Sequence, residues 1–145
     1  MRNGGYTLIE IIIVLMLVAI LAAIVWPALQ VSLERFTLEE ASWRLAREIR
    51  QVQQQAVAKE EPFRIEFQRP FRRCVISHSG KTWDVFNLPA GIEIDDVSFT
   101  YSEVIFHPTG APSMGGTVTL VNDRGEKRYV MVTVGAGRVR VAKEL

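Results

Sequence analysis

The sequence predicts an α+β protein in which a long N-terminal helix, half membrane-borne and half amphipathic, packs on a small antiparallel β-sheet, sandwich-like head. Three observations predict it. Ile11 to Leu29 holds neither a charge nor a strongly polar residue. From Leu33 to about Lys59 apolar residues recur every three or four positions. After Pro62 the period drops to two, in short runs separated by glycine, proline and aspartate.

The apolar run is about 19 residues long, enough for a helix to cross a hydrocarbon core of roughly 30 Å. A lone carboxylate, Glu10, stands at its front edge. A charge at bilayer depth costs on the order of 3 kcal/mol, so such a residue normally has a partner and a role. Pro27 falls inside the run and is expected to interrupt the hydrogen-bond ladder near Ala23 and kink the helix. A secretory signal peptide has a shorter apolar core and a small-x-small cleavage site at its far end, and Trp26-Pro27-Ala28-Leu29-Gln30 makes a poor one. A plain membrane anchor has no use for Gly5-Tyr6-Thr7 and Glu10 ahead of the run.

Leu38, Ala41, Leu45, Ile49, Val52 and Ala56 form one stripe. Glu40 with Arg44, and Arg44 with Glu48, stand at i,i+4 pairing distance. Thr37 and Glu40 have the spacing of a capping box. Ser32 to Phe36 contains neither glycine nor proline, so one helix from Tyr6 through Lys59 is expected, ended by Pro62. Glu60 and Glu61 oppose the helix dipole, and the sequence offers no account of them.

Phe63, Ile65 and Phe67 alternate with Arg64 and Glu66 as a half-buried strand. Gln68 to Arg73, with Pro70, reads as a solvated basic loop. Cys74 to His78 and Lys81 to Phe86 are strands joined at Ser79-Gly80. Leu88 to Gly91 breaks the pattern. Ile92 to Ile94, Val97 to Tyr101 and Val104 to Phe106 read as short strands, and Pro108 to Gly116 as a loop. Thr117 to Val121 and Lys127 to Val134 flank the hairpin turn Asn122-Asp123-Arg124-Gly125. Arg138 to Ala142 is the last expected strand. Either two packed sheets or one sheet on the helix fits. The head alone has a limited core, so the helical stripe is expected to supply one wall of it.

The net charge of +1 excludes polyanion binding by bulk charge. One cysteine, Cys74, excludes an intrachain disulfide. His78 and His107 have no cysteine or histidine at metal spacing, and no cofactor is expected. A Cys74–His78 dyad lacks an oxyanion loop and a third partner. Gly110 to Gly116 lacks the lysine of a phosphate loop, and Ser113 sits in no nucleophile elbow. No enzymatic activity is expected.

The N-terminal residues Gly5, Tyr6, Thr7, Leu8 and Glu10, with the apolar run behind them, resemble the N-terminus of type IV pilins and type II secretion pseudopilins. The resemblance implies that a prepilin peptidase cuts between Gly5 and Tyr6 and methylates the new amine. Most members have phenylalanine where Tyr6 stands. Glu10 becomes the fifth mature residue, where the family has its glutamate, and Pro27 falls where many pilins carry a proline. Tyr6 and Glu10 are four apart, on one helical face, so after cleavage either the chain's own amine or a neighbour's could neutralise Glu10. Opposite charges about 4 Å apart at an effective dielectric of 20 attract by roughly 4 kcal/mol, comparable to the cost of immersing the carboxylate. The resemblance gives Glu10 the role of a register lock that meets a neighbour's amine.

Phe106, Pro108, Gly110, Gly116 to Leu120, Gly125, Arg128 to Val134 and Gly137-Arg138 further resemble the GspH/FimT group of minor pseudopilins. That group implies a structural subunit near the tip of a type II secretion pseudopilus, supporting protein export. The implied partners are other major and minor pseudopilins, the prepilin peptidase, an inner-membrane assembly platform and membrane lipid. The implied location is the inner membrane, crossed once, with the N-terminus cytoplasmic and the head periplasmic or otherwise extracytoplasmic. Residues 1–5 are then a leader, 6–29 the membrane helix, 30–61 its amphipathic continuation and 62–145 the head. The alternative is a minor type IV pilin or competence subunit that binds DNA for uptake. Arg138 and Arg140 in Gly137-Arg138-Val139-Arg140 share a strand face and are the candidate DNA contacts. Without aromatic platforms the pair makes a thin site, and a solvated edge strand is the favoured reading.

Overall fold

The computed structural model describes residues 7–135 and 137–143, apart from the side chains of Pro27 and Ala28. Gly5 and Tyr6, the expected processing site, lie outside the described residues. The chain divides into two compact units between Glu34 and Arg35. The division falls inside α1 (Leu8–Lys59), so the amphipathic part of that helix belongs to the same unit as the strands.

In the first unit Thr7 precedes the helix and caps it. Its hydroxyl accepts from the Glu10 amide at 3.3 Å, and its carbonyl accepts from the Glu10 and Ile11 amides. From Leu8 to Trp26 every side chain is exposed. The helix is long and apolar enough to cross a membrane. It runs unbroken through Pro27. The missing proline N–H costs one ladder bond and does not end the helix here.

The second unit holds eight strands in two antiparallel sheets, which settles the choice the sequence left open. The first sheet has the order β3–β2–β1–β5, and the second β4–β6–β7–β8. β1 (Phe63–Gln68) pairs with β2 (Arg73–His78) and with β5 (Glu103–Phe106). β3 (Lys81–Asn87) is an edge strand, bulged opposite Ile76 and Ser77. β4 (Ile92–Val97) pairs with β6 (Gly116–Asn122), which pairs with β7 (Lys127–Val132) and it with β8 (Val139–Ala142).

Period-two alternation fixes which side of each strand faces inward. Phe63, Ile65 and Phe67 of β1, Ile92 and Ile94 of β4, and Val130 and Val132 of β7 all enter one core cluster. The whole stripe Leu38, Ala41, Leu45, Ile49, Val52 and Ala56 is buried in that same cluster. The helix thus supplies a wall of the core, as its periodicity predicts. Ser42 is also fully buried and donates to the Leu38 carbonyl at 2.7 Å, so its hydroxyl is satisfied within the helix.

One expected strand is not a strand. Val97 to Tyr101 leaves β4 and ends in a 3₁₀ turn over Thr100–Ser102. Ser98 bonds across to Thr117 and closes the pairing. Phe99 then turns inward, stacked on Phe67 at 5.5 Å, while Tyr101 takes a left-handed conformation and points out. The apparent alternation therefore spans a turn. Gly116 lies flat against this stack: a Cβ there would sit 2.6 Å from the Phe99 ring. Gly116→Ala is expected to overpack the site and cost about 1–3 kcal/mol, read as a lowered midpoint in denaturant unfolding at unchanged slope.

Candidate assembly and binding surfaces

Glu10 is the only charged residue between Leu8 and Leu33. The Thr7 cap places it at the third helical position, in the first turn, where the positive end of the helix dipole favours a carboxylate. Its side chain is exposed, so a partner from outside the chain can reach it.

Within the second unit the helix is tied to the sheets by polar contacts. Arg35 Nε meets Glu126 at 2.7 Å. Glu126 also receives Asn122 Nδ2 at 3.1 Å. Asn122 shapes the β6–β7 turn, its side-chain oxygen accepting the Arg124 and Glu126 amides. The Arg35 hydrogen bond is the main reason the Glu126 carboxyl is held below its ordinary range. A carboxylate shifted down stabilises the fold at neutral pH, and that contribution fades as pH falls through the folded-state value. Arg35→Ala is expected to raise the Glu126 titration midpoint toward about 4.5, followed by NMR of the side-chain carbonyl. On the second sheet Lys127 reaches Asp95 at 2.7 Å, which raises its pKa, so this pair persists until strongly alkaline pH.

Glu60 and Glu61 find their explanation at the helix end. Glu60 takes a left-handed conformation that ends α1. Glu61 pairs with His78 and accepts from the Ser79 hydroxyl at 3.4 Å. His78 stacks on Phe63 at 4.4 Å, and Lys59 Nζ lies 3.5 Å from the Trp83 ring centroid. Partners on the β2–β3 hairpin thus offset the unfavourable dipole. Cys74, one strand-length away, is buried, and that burial pushes its thiol up to about 12. It stays protonated at neutral pH and is no thiolate nucleophile. His78 is engaged with Glu61 and Phe63, so the dyad does not form.

The structure gives Arg138 and Arg140 company that the sequence did not show. Both are exposed and line a groove of about 500 Å³ with Arg50, Gln53 and Gln54 of α1. No carboxylate lines it. Arg50 donates to the Val139 carbonyl at 2.7 Å, and Gln53 donates to the Gly110 carbonyl at 2.7 Å. Gly137 is left-handed, and a Cβ there would sit 2.4 Å from the Gln53 amide. The two glycines at 110 and 137 therefore let both loops close onto the helix. On the helix face opposite the buried stripe, Phe36 and Trp43, two turns apart, are 69 % and 45 % exposed.

Residues 1–26 match the family described as the prokaryotic N-terminal methylation motif. The chain matches the minor pseudopilin EpsH of the Vibrio cholerae type 2 secretion system with a TM-score of 0.62, at 11 % identity, over 73 % of this chain and 96 % of that one. The fold is pilin-like. The type IV minor pilin FimU of Pseudomonas aeruginosa gives a TM-score of 0.61 at 15 % identity, over 75 % of the pilin-like chain and 90 % of FimU. By sequence, the chain is 27 % identical to the competence protein ComGD of Bacillus subtilis over 144 residues, 99 % of its own length and 96 % of that relative. The long helix packed on antiparallel sheets is the arrangement of these pilin-like structures. The apolar N-terminal helix and the methylation motif suit membrane anchoring.

Proposed function

We propose that the chain is a minor pseudopilin: a structural subunit of a type II secretion pseudopilus that acts at or near the filament tip and supports protein export. The observation that carries this reading is the methylation motif running directly into a helix whose side chains are exposed from Leu8 to Trp26. An apolar surface of that length needs lipid before assembly, and other helices after it. The exposed pair Phe36 and Trp43 extends such helix packing beyond the apolar run. In this reading the prepilin peptidase cuts between Gly5 and Tyr6, and Tyr6 carries the methylated amine. Glu10 then pairs with a neighbour's amine, and Pro27 marks where the helix adapts during assembly. The partners are other pseudopilins, an inner-membrane assembly platform and lipid. The N-terminus stays cytoplasmic and the head faces outward. The chain contributes packing and no catalysis. Mass spectrometry of the protein purified from its own cells tests this: a first residue of methylated Tyr6 is expected, and a chain beginning at Met1 refutes the reading.

A second reading, a competence subunit that binds DNA, has two supports. One is the full-length likeness to a competence protein. The other is the acid-free groove of Arg50, Arg138 and Arg140. A gel-shift of the detergent-solubilised chain with duplex DNA, repeated across salt concentrations, separates the two. Log affinity falls with log salt at about 0.9 per phosphate neutralised, so DNA uptake requires a steep slope that Arg138→Ala reduces. No salt-sensitive retardation leaves export.

A further inference from the structure

A basic cup opens where the amphipathic part of α1 begins. Arg35 is the first residue of the second unit, and its Nε holds Glu126 of the β6–β7 turn at 2.7 Å. That tie brings the turn and the start of β7 beside the helix. Arg128 follows in β7. Lys143 comes beside it across the strand pair, because Ala142 of β8 registers with Tyr129. Arg35, Glu126, Lys127, Arg128, Tyr129 and Lys143 line a depression of about 410 Å³, four cations against one carboxylate.

The fold leaves donors in this cup unused. The Arg35 hydrogen bond to Glu126 takes Nε, one of five guanidinium donors. Arg128 donates to the Lys127 carbonyl at 2.9 Å and lies 4.0 Å from Glu39, the outer limit of an ion pair. Lys127 is held more closely, by Asp95 at 2.7 Å. Lys143 is exposed and makes no hydrogen bond or ion pair among the described residues. Four cations set against Glu126, Glu39 and Asp95 leave one net positive charge, and it sits on Lys143. That surplus matches one singly charged phosphodiester.

The chain itself sets what the cup can reach. α1 continues without a break from Leu29, the end of the apolar run, to Arg35, and six helical residues advance about 9 Å. The polar layer on each side of a hydrocarbon core is about 5–8 Å thick. A helix whose apolar run fills that core carries Arg35 to the level of the headgroups, and tilt only brings it closer. Tyrosine, as at position 129, is also favoured at that level.

We propose that this cup binds the phosphate of an anionic phospholipid, with Lys143 and Arg128 on the phosphate oxygens and Arg35 adding its free donors. The proposal rests on the membrane anchoring in the reading above and on neither side of the choice between export and DNA uptake. It adds a selectivity that the apolar run lacks, since that run has no cation with which to tell one headgroup from another.

The full chain in nanodiscs tests the proposal, in phosphatidylcholine alone and in phosphatidylcholine mixed with phosphatidylglycerol. The readout is the rate of amine acylation at Lys143 by mass spectrometry, with Lys81, exposed and outside the cup, as reference. Phosphatidylglycerol is expected to slow Lys143 about fivefold and to leave Lys81 unchanged. Arg128→Gln is expected to return Lys143 to its rate in phosphatidylcholine. A charged surface that merely lowers the local pH would slow Lys143 with or without Arg128, so protection that survives Arg128→Gln overturns the site. Native mass spectrometry gives a reading that does not depend on that variant folding. The chain released from mixed discs is expected to retain phosphatidylglycerol over phosphatidylcholine about fivefold, and Lys143→Gln to abolish the preference. Equal labelling in both discs, or equal retention of the two lipids, overturns the headgroup site and spares the anchoring. Protection of Lys143 by inorganic phosphate in phosphatidylcholine discs overturns the lipid as its ligand. A chain that does not enter the discs overturns the anchoring and the site together.

Discussion

Phe63→Ala is expected to destabilise the head by about 3–5 kcal/mol, the range for emptying a buried phenylalanine site. Phe63 is the first residue of β1, immediately after Pro62, where the chain passes from helix to sheet. It is wholly buried and registers against His78 on one side and Phe106 on the other. Its ring carries the His78 ring, meets Trp83 edge-on at 5.8 Å and lies 5.8 Å from Lys59 Nζ. Truncation opens a cavity and also removes the support under the hairpin contacts that hold Glu61. The site has little room to collapse, because Phe106, also wholly buried, lies directly beside it. A domain of this size shifts its thermal midpoint by roughly 4–8 °C per kcal/mol, so the loss reads as about 12–40 °C by near-UV circular dichroism. Tyr101→Ala, which removes a ring of similar size from an exposed turn, is expected to leave the midpoint unchanged. Equal losses for the two would show that burial does not rank these residues.

The same contrast explains which parts of the fold were readable. The stripe Leu38 to Ala56 and the alternation in β1 are local patterns produced by a buried face, and both ended in the core as the periods require. The turn Asn122 to Gly125 was legible because Asn and Gly carry their own turn chemistry: Asn122 accepts two amides and Gly125 supplies φ 78°. Val97 to Tyr101 misled because alternation alone does not reveal where a strand stops. No glycine or proline marks that bend, and tertiary contacts of Ser98 and Phe99 enforce it. The groove residues Arg50, Gln53 and Gln54 gave no signal either. On the helix they read as an ordinary polar face, and only the closure of the loops at Gly110 and Gly137 brings them beside Arg138 and Arg140. The paired left-handed glycines were the one available hint.

Glu10→Ala is expected to separate two properties that a simple anchor would keep together. Removing a carboxylate from bilayer depth favours insertion by on the order of 3 kcal/mol, so the variant should reach the membrane fraction at least as well as the native chain. If the chain assembles as proposed, incorporation into filaments should fall, because a neighbour's amine would lose an attraction of roughly 4 kcal/mol at 4 Å in an effective dielectric of 20. That energy corresponds to a factor of about 1,000 in a single contact equilibrium, and cooperative assembly would amplify it. The Thr7 cap uses the Glu10 backbone amide and survives the change, so the helix start is preserved and the effect isolates the side chain. Glu10→Gln sharpens the reading: it keeps the shape and hydrogen-bonding capacity and removes only the charge. Quantitative immunoblots of membrane and sheared-filament fractions give both numbers from one culture. A matched fall in the two fractions would mean that Glu10 serves insertion or folding. A membrane level held or raised with an empty filament fraction would place its role in the contact between subunits.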